Sequence, residues 1–575
     1  MKYTPTFKFL LFIFLILATH YCSAQNVTVS GYVKDELSKE ALINASVINL
    51  GNRSGTITNR YGYFSLTSKK ADTLKLLITY SGYIAERKTI VNGQSIQLEI
   101  LLRPSANMLN VVKVVANHNN DNITKARMGV IDVPVKAIKD LPVLLGEHDI
   151  LKTLQLLPGV QQAQEGTSGF YVRGGNLDQN LILLDEANIY NPNHLFGLFS
   201  TFNVNSVNSV RLIKGAFPAE YGGRLSSILD ITMKEGNKTE YQTEAGLGLL
   251  SGNITFQGPI QKNKSSFNVS ARHSYIDLLL HPITSNTTTY TFYDLNAKVN
   301  FELSPKDHLF ISGFKGNDDA AYTGTNSLNY GINFGNTTGT LRWNHLFGNK
   351  VFSNTSLIYN DYHLQLGTTQ TSYYEVLYTG IKDVNAKSDF TAVLSNRHTL
   401  KFGINYIYHT LSPASLSAKV PKKGKLFSIN PDSIPRRYSN EAALYIGDEY
   451  HISDRFAINY GLRLPFFAGS GKAYTSVEPR ITTQYSLNES TSVKASYTMM
   501  NQFVHLIPNS TASLPADIWL SSSAAIKPQN STQISFGLFK NFSNNDIESS
   551  VEAYYKNMNN QVLFKQGTQI TLNTN

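Results

Sequence analysis

The sequence predicts a mainly β protein built from an N-terminal β-sandwich, an α+β domain and a long antiparallel β-barrel. Three observations predict this order. Short alternating runs separated by turns come first, one clear helical pattern follows, and two-faced strands occupy the rest of the chain. Of the 575 residues, 16% are charged and 11% are aromatic, a composition that favours an ordered chain with much apolar strand surface.

Residues 1–24 have the features of a secretory signal peptide. Two lysines precede the apolar stretch 9–18, and the small residues Ser23 and Ala24 suit a signal peptidase. The apolar stretch is too short to cross about 30 Å of hydrocarbon as a helix, which argues against a membrane anchor. Cleavage after Ala24 removes Cys22, the only cysteine. We therefore expect neither disulfides nor thiolate metal sites in the mature chain.

Residues 25–104 are predicted to form a small antiparallel β-sandwich. The alternating runs that predict it are separated by Gly, Asn and Ser turns and lie at 27–33, 45–50, 62–66, 74–80 and 96–101. Motifs within them, including Gly31-Tyr32-Val33-Lys34-Asp35, resemble the carboxypeptidase-regulatory-like domain. That resemblance implies a non-catalytic module, and no metal-ligand spacing indicates otherwise.

The segment 105–125 contains a short apolar strand at 111–116, followed by polar residues. Such a strand can pair with the sheet edge of a partner protein, or it can be the last strand of the preceding sandwich. Its candidate contact residues are the four valines Val111, Val112, Val114 and Val115. The segment that follows in the sequence favours pairing with a partner protein.

Residues 126–238 are predicted to form the α+β domain. Ile150, Leu151, Leu154 and Leu157 have helical spacing, and Pro158 ends the pattern. Glycine pairs, which permit tight turns, then recur with charged residues in ordered motifs: Arg173, Gly174, Gly175, Asp185, Arg211, Lys214, Gly215, Glu220, Tyr221, Gly222, Gly223 and Arg224. For each charge taken singly, a solvated residue or a local ion pair is the simpler interpretation.

These motifs, taken in order, resemble the plug of TonB-dependent outer-membrane receptors. The resemblance implies a bacterial outer-membrane location with the N-terminal domain in the periplasm. It implies that the TonB-box-like strand 111–116 contacts TonB, that the inner-membrane proton gradient supplies energy, and that lipid surrounds the barrel. A surface lipoprotein is a further partner compatible with it. It implies no catalytic residue and no cofactor, and it leaves the substrate-binding residues unknown.

Residues 239–575 are predicted to form a transmembrane antiparallel β-barrel. In the run 295–303 every apolar residue falls on one face and every polar residue on the other, as a wall between lipid and water requires. Long connections such as 412–439 alternate with short polar turns at 262–264, 304–307, 348–350, 395–397, 453–455, 488–490 and 543–546. The turns predict about 15 strands, whereas plugged transporters close at about 22. We therefore expect a C-terminally truncated barrel.

Other chemistries find little support in the sequence. The formal net charge is +10, but the basic residues are scattered and form no stripe that would suit nucleic acid. A glycine-rich run at 246–251 lacks the third glycine of a dinucleotide fingerprint, and the run 469–472 lacks the first glycine of a phosphate loop. No His-Glu-x-x-His pattern occurs. We therefore expect no enzyme, no metal and no nucleic-acid partner.

The leading hypothesis is active, TonB-dependent import of a scarce solute, such as a siderophore, vitamin, glycan or peptide, through a plugged barrel. The alternative is a signalling or adhesion receptor on the same scaffold, with the N-terminal sandwich as an interaction module. A passive porin is a third hypothesis. A lumen filled by a domain of about 110 residues argues against that porin.

Overall fold

The computed structural model describes residues 26–52, 54–70, 73–91, 94–105, 121–143, 145–165, 167–278, 288–324, 329–370, 373–422, 425–429, 436–507, 518–542 and 547–563. The predicted signal peptide and the four candidate TonB-contact valines lie outside the described residues. Within these ranges, no helix combines the length and the apolar character needed to span a membrane.

The N-terminal domain consists of two small sheets. Its strands are β1 (Asn26–Asp35), β2 (Ser46–Asn49), β3 (Gly55–Ile57), β4 (Tyr63–Lys69), β5 (Thr73–Thr79), β6 (Glu86–Val91) and β7 (Ile96–Leu102). One sheet has the order β4-β1-β7 and the other β3-β2-β5-β6. Alternate apolar residues of both sheets, such as Val29, Phe64 and Ile78, pack together in one buried core. The predicted sandwich is confirmed.

Two details of this sandwich differ from the prediction. Strand β7 pairs with β1 in parallel, so the expectation of a purely antiparallel sandwich is wrong. The chain between them passes through the opposite sheet and returns in the direction of β1, which is the long crossover that parallel pairing requires. Strand β6 was not predicted because its exposed sequence, Glu-Arg-Lys-Thr-Ile-Val, hides the alternation. It lies at a sheet edge, where charged side chains are typical.

The plug is the domain that follows, built around a five-stranded sheet in the order β12-β11-β16-β15-β8. Its strands are β8 (Val130–Val133), β9 (Val160–Gln162), β10 (Phe170–Val172), β11 (Asn180–Leu184), β12 (Ala187–Asn188), β13 (Asn193–His194), β14 (Phe199–Ser200), β15 (Val207–Ile213) and β16 (Ser227–Met233). Its helices are α1 (Asp121–Thr124), α2 (Val135–Asp140) and α3 (Ile150–Gln155), with 3₁₀ turns at Leu177–Gln179, Leu195–Gly197 and Val204–Ser206.

The helix that the sequence predicts is α3. It begins after Asp149, whose carboxylate accepts a hydrogen bond of 3.0 Å from the Lys152 backbone N–H and so caps the helix. The predicted apolar face is buried at Ile150, Leu151 and Leu154 against the plug sheet. Helices α1 and α2 were not predicted, because four and six residues are too few to establish a helical period.

Most of the described residues from Gln242 to Asn559 form one large antiparallel sheet, the wall. The wall strands are β17 (Gln242–Leu247), β18 (Ser251–Gln261), β19 (Ser265–Ser274), β20 (Thr288–Ser304), β21 (Asp307–Thr323), β22 (Asn329–Phe347), β23 (Val351–Gln370), β24 (Tyr373–Val393), β25 (His398–Lys422), β26 (Lys425–Ile429), β27 (Arg437–His451), β28 (Phe456–Gly469), β29 (Lys472–Thr475), β30 (Glu478–Asn488), β31 (Thr491–Gln502), β34 (Gln529–Phe542) and β35 (Ile547–Asn559). The strands β32 (Val504–Ile507) and β33 (Ile518–Ser521) form a separate two-stranded sheet.

The wall has 17 strands, of which β26 and β29 are short additions, since β25 also pairs with β27 and β28 with β30. The other fifteen are the neighbours that the turns predicted. The six predicted short turns from 262–264 to 488–490 each join two of them, and the seventh, 543–546, lies outside the described residues. On β20 the polar side chains Asp294, Asn296 and Lys298 are buried, while Leu295 and Leu303 are exposed on the other face. The alternation therefore places polar residues inside and apolar residues outside, as predicted.

Candidate functional site

The candidate site is the contact surface between the plug and the wall. Polar contacts join them around the sheet from β19 to β35. Representative pairs are Asn203 with Ser270 at 2.6 Å, the Tyr190 backbone N–H with Asn336 at 3.1 Å, Glu220 with Lys401 at 3.1 Å, Gln179 with Gln529 at 3.1 Å, and Arg173 with Glu552 at 2.7 Å. The plug is thus fastened to strands that are spread across the wall.

Arg173 is the motif residue that reaches the last described wall strand. Its guanidinium lies 2.7 Å from the Glu552 carboxylate and 4.9 Å from the centre of the Tyr554 ring. Gly215 makes room for it, because a Cβ there would lie 2.5 Å from Arg173 Nη1. Lys214 instead donates a 2.6 Å hydrogen bond to the Pro158 carbonyl oxygen within the plug. Its role is therefore local.

Asp185 and the neighbouring Glu186 form the most highly charged contact. Both have positive φ, 47° and 76°, which turns their side chains toward the wall. Asp185 lies 3.0 Å from Lys298 Nζ and accepts a 2.9 Å hydrogen bond from the Met233 backbone N–H. Arg342 donates at 2.9 Å to the Asp185 carbonyl oxygen and lies 3.5 Å from Glu186.

Glu186 was missed in the sequence, although it is among the most enclosed carboxylates. It accepts a 2.7 Å hydrogen bond from Ser356 and lies 3.6 Å from Lys387. Burial alone would raise its pKa, but the charges of Arg342, Lys387 and Arg60 outweigh burial and hold the pKa of Glu186 well below its ordinary value. Only the tertiary contacts distinguish this carboxylate from a surface one.

Two wall arginines hold the turn that contains Glu220, Tyr221 and Gly222. Arg480 donates to the carbonyl oxygens of Pro218 and Tyr221, and Arg463 donates at 3.3 Å to those of Ala219 and Glu220. A Cβ at Gly222 would lie 2.3 Å from Arg463 Nε, so any side chain at this position would displace the arginine. Gly223 supplies the positive φ, 78°, that reverses the chain.

Tyr221, Arg211 and Arg224 make four further contacts. The Tyr221 hydroxyl donates at 2.8 Å to Asp230 inside the plug. Arg211 pairs with Asp132 at 2.6 Å and also donates at 2.7 Å to Asn44 of the N-terminal domain. Arg224 lies 5.5 Å from the centre of the Trp519 ring on β33, the inner hairpin that packs against the plug. The predicted residues thus form a distributed interface rather than one pocket.

A buried histidine, His194, joins the plug to two wall carboxylates. Its Nε2 lies 2.7 Å from Asp294 and its Nδ1 contacts Asp318. Burial disfavours the charged ring, but the two carboxylates outweigh burial and raise the pKa of His194 to about 9. Arg272 also donates at 2.7 Å to Asp294. Nothing in the local sequence marked His194, because its partners lie 100 and 124 positions away.

The adjacent glycines Gly174 and Gly175 give a direct test of the plug motif. Gly174 has a φ of 73° and open space around it, whereas a Cβ at Gly175 would lie 2.2 Å from Oγ of the buried Ser226. We expect Gly174→Ala to cost about 1 kcal/mol through its left-handed backbone and Gly175→Ala about 3 kcal/mol through overpacking.

The measurement for this pair is the urea concentration at which the plug becomes sensitive to trypsin. Heat-resistant migration on a gel reports the barrel in the same samples. The larger decrease should belong to Gly175→Ala. Equal decreases, or the reverse order, would contradict the close approach to Ser226.

Comparison with known proteins decides the family. Residues 251–575 match the family model described as TonB dependent receptor-like, beta-barrel. The chain belongs to the TonB-dependent receptor family. In this receptor, residues 131–227 match the TonB-dependent receptor plug domain and residues 29–114 the CarboxypepD_reg-like domain, so both resemblances are confirmed. The family comprises outer-membrane β-barrels that act as receptors and transporters, and it is not an enzyme family.

The chain is also similar to individual proteins. The receptor is 27% identical over 244 residues to the TonB-dependent receptor SusC of Bacteroides thetaiotaomicron, a match spanning 40% of this chain and 23% of SusC. Among solved structures, the ferric enterobactin receptor PfeA of Pseudomonas aeruginosa has 14% identity and a TM-score of 0.55, covering 75% of this chain and 71% of PfeA. The copper transporter OprC has 13% identity and a TM-score of 0.56, covering 74% and 72%. These structures share the fold.

The structure also bears on metal binding by the receptor itself. Among the described residues, no group of three or more His, Cys, Asp or Glu side chains is arranged so that it could hold a metal ion. The clusters at Glu186 and His194 pair acids with bases rather than leaving carboxylates free. What this arrangement can do chemically is hold a plug in place through charge.

Proposed function

We propose that this receptor imports a scarce solute across the outer membrane, with energy delivered by TonB. The observation that carries the proposal is a plug fastened inside the wall by buried ion pairs at Asp185, Glu186 and His194. Separating one partner from a buried pair costs about 3–5 kcal/mol. A passage closed in this way opens only when work is done on the plug, and a TonB-coupled receptor has such a source of work.

The position of the TonB-box-like strand supports this coupling. By residue number it precedes α1, with residues 117–120 between them, and α1 contacts the wall through a 2.8 Å hydrogen bond from Asn122 to Asn541. Next to it, Ile123 packs with Met128 and Phe539. A pull on residues 111–116 would therefore act first on one small patch between the plug and β34. Contacts loaded one after another yield to less force than contacts loaded together.

Deleting residues 111–116 should abolish import while leaving surface binding intact. The valines would no longer supply a strand to the TonB sheet, whereas the loops and the wall would be unchanged. Cells with the receptor, cells with the deletion and cells without the chain are incubated in one extract of growth medium. Untargeted mass spectrometry then records which solutes each strain binds and accumulates.

The matched control for this experiment replaces polar residues 117–120 by a Gly/Ser segment of equal length, which keeps the valines. Accumulation by the deletion strain at the level of the intact strain would overturn the coupling. A solute class found by this comparison would also narrow the candidates, which are iron chelates, copper, vitamins, glycans and peptides.

Removal of residues 26–104 separates import from the alternative, a signalling receptor on the same scaffold. Loss of a transcriptional response with import retained would favour signalling by the N-terminal domain. Changed import would assign that domain to the transport path.

A further inference from the structure

The N-terminal domain is seated on the end of the wall that carries the short turns. The Ser65 hydroxyl donates at 2.8 Å to the Asn349 carbonyl oxygen in one turn, and Gln97 donates at 3.2 Å to the Pro305 carbonyl oxygen in another. In outer-membrane barrels the short turns face the periplasm. The domain therefore covers the periplasmic mouth of this receptor.

Aromatic rings pack together across part of the contact between the N-terminal domain and the wall. Tyr61 and Tyr63 stack on Phe352 of the wall with ring centres 5.4 and 5.1 Å apart, and Tyr32 stacks on His308 at 4.6 Å. All three tyrosines are buried. Aromatic contacts of this kind contribute about 0.5–1.5 kcal/mol each beyond the area that they bury.

Arg60 extends past the wall and reaches the plug itself. Its guanidinium lies 3.3 Å from Glu186 and also contacts Asp230, and the neighbouring Tyr61 hydroxyl donates at 2.5 Å to Glu186. Lys34 adds a 2.7 Å ion pair to Glu302 on β20. The domain thus supplies one of the three cations that surround Glu186, the carboxylate that fastens the plug to the wall.

We propose that the N-terminal domain is a detachable clamp that covers the periplasmic mouth and holds the plug in place at Glu186 and Asp230. Release of the domain withdraws Arg60 and Tyr61 from the plug, so that undocking and loosening of the plug are one coupled event. The proposal concerns how the plug is retained. It does not require that the proposed import be correct.

Two features allow the domain to leave as a folded unit. Its apolar core, which includes Val29 and Phe64, is separate from the plug core around Leu151 and Leu229, as expected of domains that move relative to each other. Residues 106–120 connect the two domains, and a stretch of that length can span at most about 50 Å. The predicted TonB-contact segment 111–116 lies within this connection.

A disulfide tests the docking first. The Ser30 hydroxyl lies 3.4 Å from Asn349 Oδ1, and the one cysteine of the 575 residues, Cys22, lies in the predicted signal peptide. The full-length double variant S30C/N349C in outer-membrane vesicles should form a disulfide on mild oxidation, seen as a shift in gel mobility that a reductant reverses. Each single variant, and S30C paired with S453C in a different turn, are the controls. Absence of the disulfide would overturn the proposal.

Ion conductance then tests the clamp. The full chain is placed in planar lipid bilayers in KCl, and urea is raised until K⁺ and Cl⁻ begin to pass through the barrel. Oxidised S30C/N349C should open at a higher urea concentration than the same protein after reduction. Equal opening concentrations in the two states would overturn the clamp. The readout involves neither TonB nor a solute, so failure of the proposed import would be recognised separately.

The Arg60→Ala variant should open at a lower urea concentration than the unchanged receptor. Its matched control is Arg103→Ala, which removes an exposed arginine that pairs with Glu36 within the same domain. Because Arg60→Ala also removes a cation from two plug carboxylates, Glu186 and Asp230, Tyr61→Phe is the milder second variant. It removes one hydroxyl and should shift opening in the same direction. Equal shifts for Arg60→Ala and Arg103→Ala would contradict the clamp.

Discussion

Replacing Glu186 by Gln should release the plug at a lower urea concentration without unfolding the barrel. The carboxylate is enclosed, with its side chain 1% exposed, and it lies within 3.6 Å of Arg60, Arg342 and Lys387. The amide keeps the shape but removes the charge, which leaves three cations without their common partner. Breaking a buried pair in this way costs about 3–5 kcal/mol, whereas the strand pairing of the wall is untouched.

Trypsin sensitivity of the plug against urea, with gel mobility reporting the barrel, measures this effect. The matched control is Glu244→Gln, since Glu244 pairs with Lys139 at 2.9 Å but is 49% exposed. An exposed pair contributes about 0–1 kcal/mol, so this control should barely shift the curve. If the two variants behaved alike, Glu186 would not be the point that holds the plug.

Replacing His194 by Gln should make plug retention less dependent on pH. The pKa of His194 is about 9 in the folded receptor against an ordinary value of 6.5. A raised pKa means that the charged ring stabilises the folded state fully below about pH 6.5, and that this contribution is lost as pH rises through about 9. Its size is on the order of 3 kcal/mol. The unchanged receptor should therefore lose plug retention across that interval.

The test records the urea concentration for plug release between about pH 6 and pH 10. The decrease should become shallower in His194→Gln, which should also be less stable than the unchanged receptor at the acid end, where no imidazolium pairs with Asp294 and Asp318. His345→Gln is the control, because its imidazole pairs with Asp307 near a turn and is partly exposed. A decrease of the same steepness in His194→Gln would assign the pH dependence to other groups.

The sequence was informative wherever one strand or one turn carries the signal by itself. The alternation at 295–303 predicts the inner and outer faces of β20, the short polar turns predict the strand neighbours, and the four apolar positions from Ile150 predict α3. Each signal extends over fewer than about 20 residues and arises from a face that meets a different solvent or packs on a core. The ordered plug motifs identified the family for a similar reason, since each is a short local run.

Parts of the fold and most of the site depend on partners that are distant in sequence. The parallel pairing of β1 with β7 depends on where the chain returns after crossing the other sheet. The preference for glycine at Gly222 arises from the close approach of Arg463. The enclosure of Glu186 arises from charged residues more than a hundred positions away. The sequence does not distinguish His194 from the other histidines, because its partners Asp294 and Asp318 are distant along the chain.

By itself, then, the amino-acid sequence determined the order of the domains, the inward and outward faces of the wall, and the motifs of the plug, because periodicity and turn chemistry are local properties. The tertiary structure alone decided which carboxylates are enclosed by cations and where the N-terminal domain is seated. The physical reason is that burial and Coulomb energy depend on distances across the folded molecule, and the positions of residues along the chain do not contain those distances.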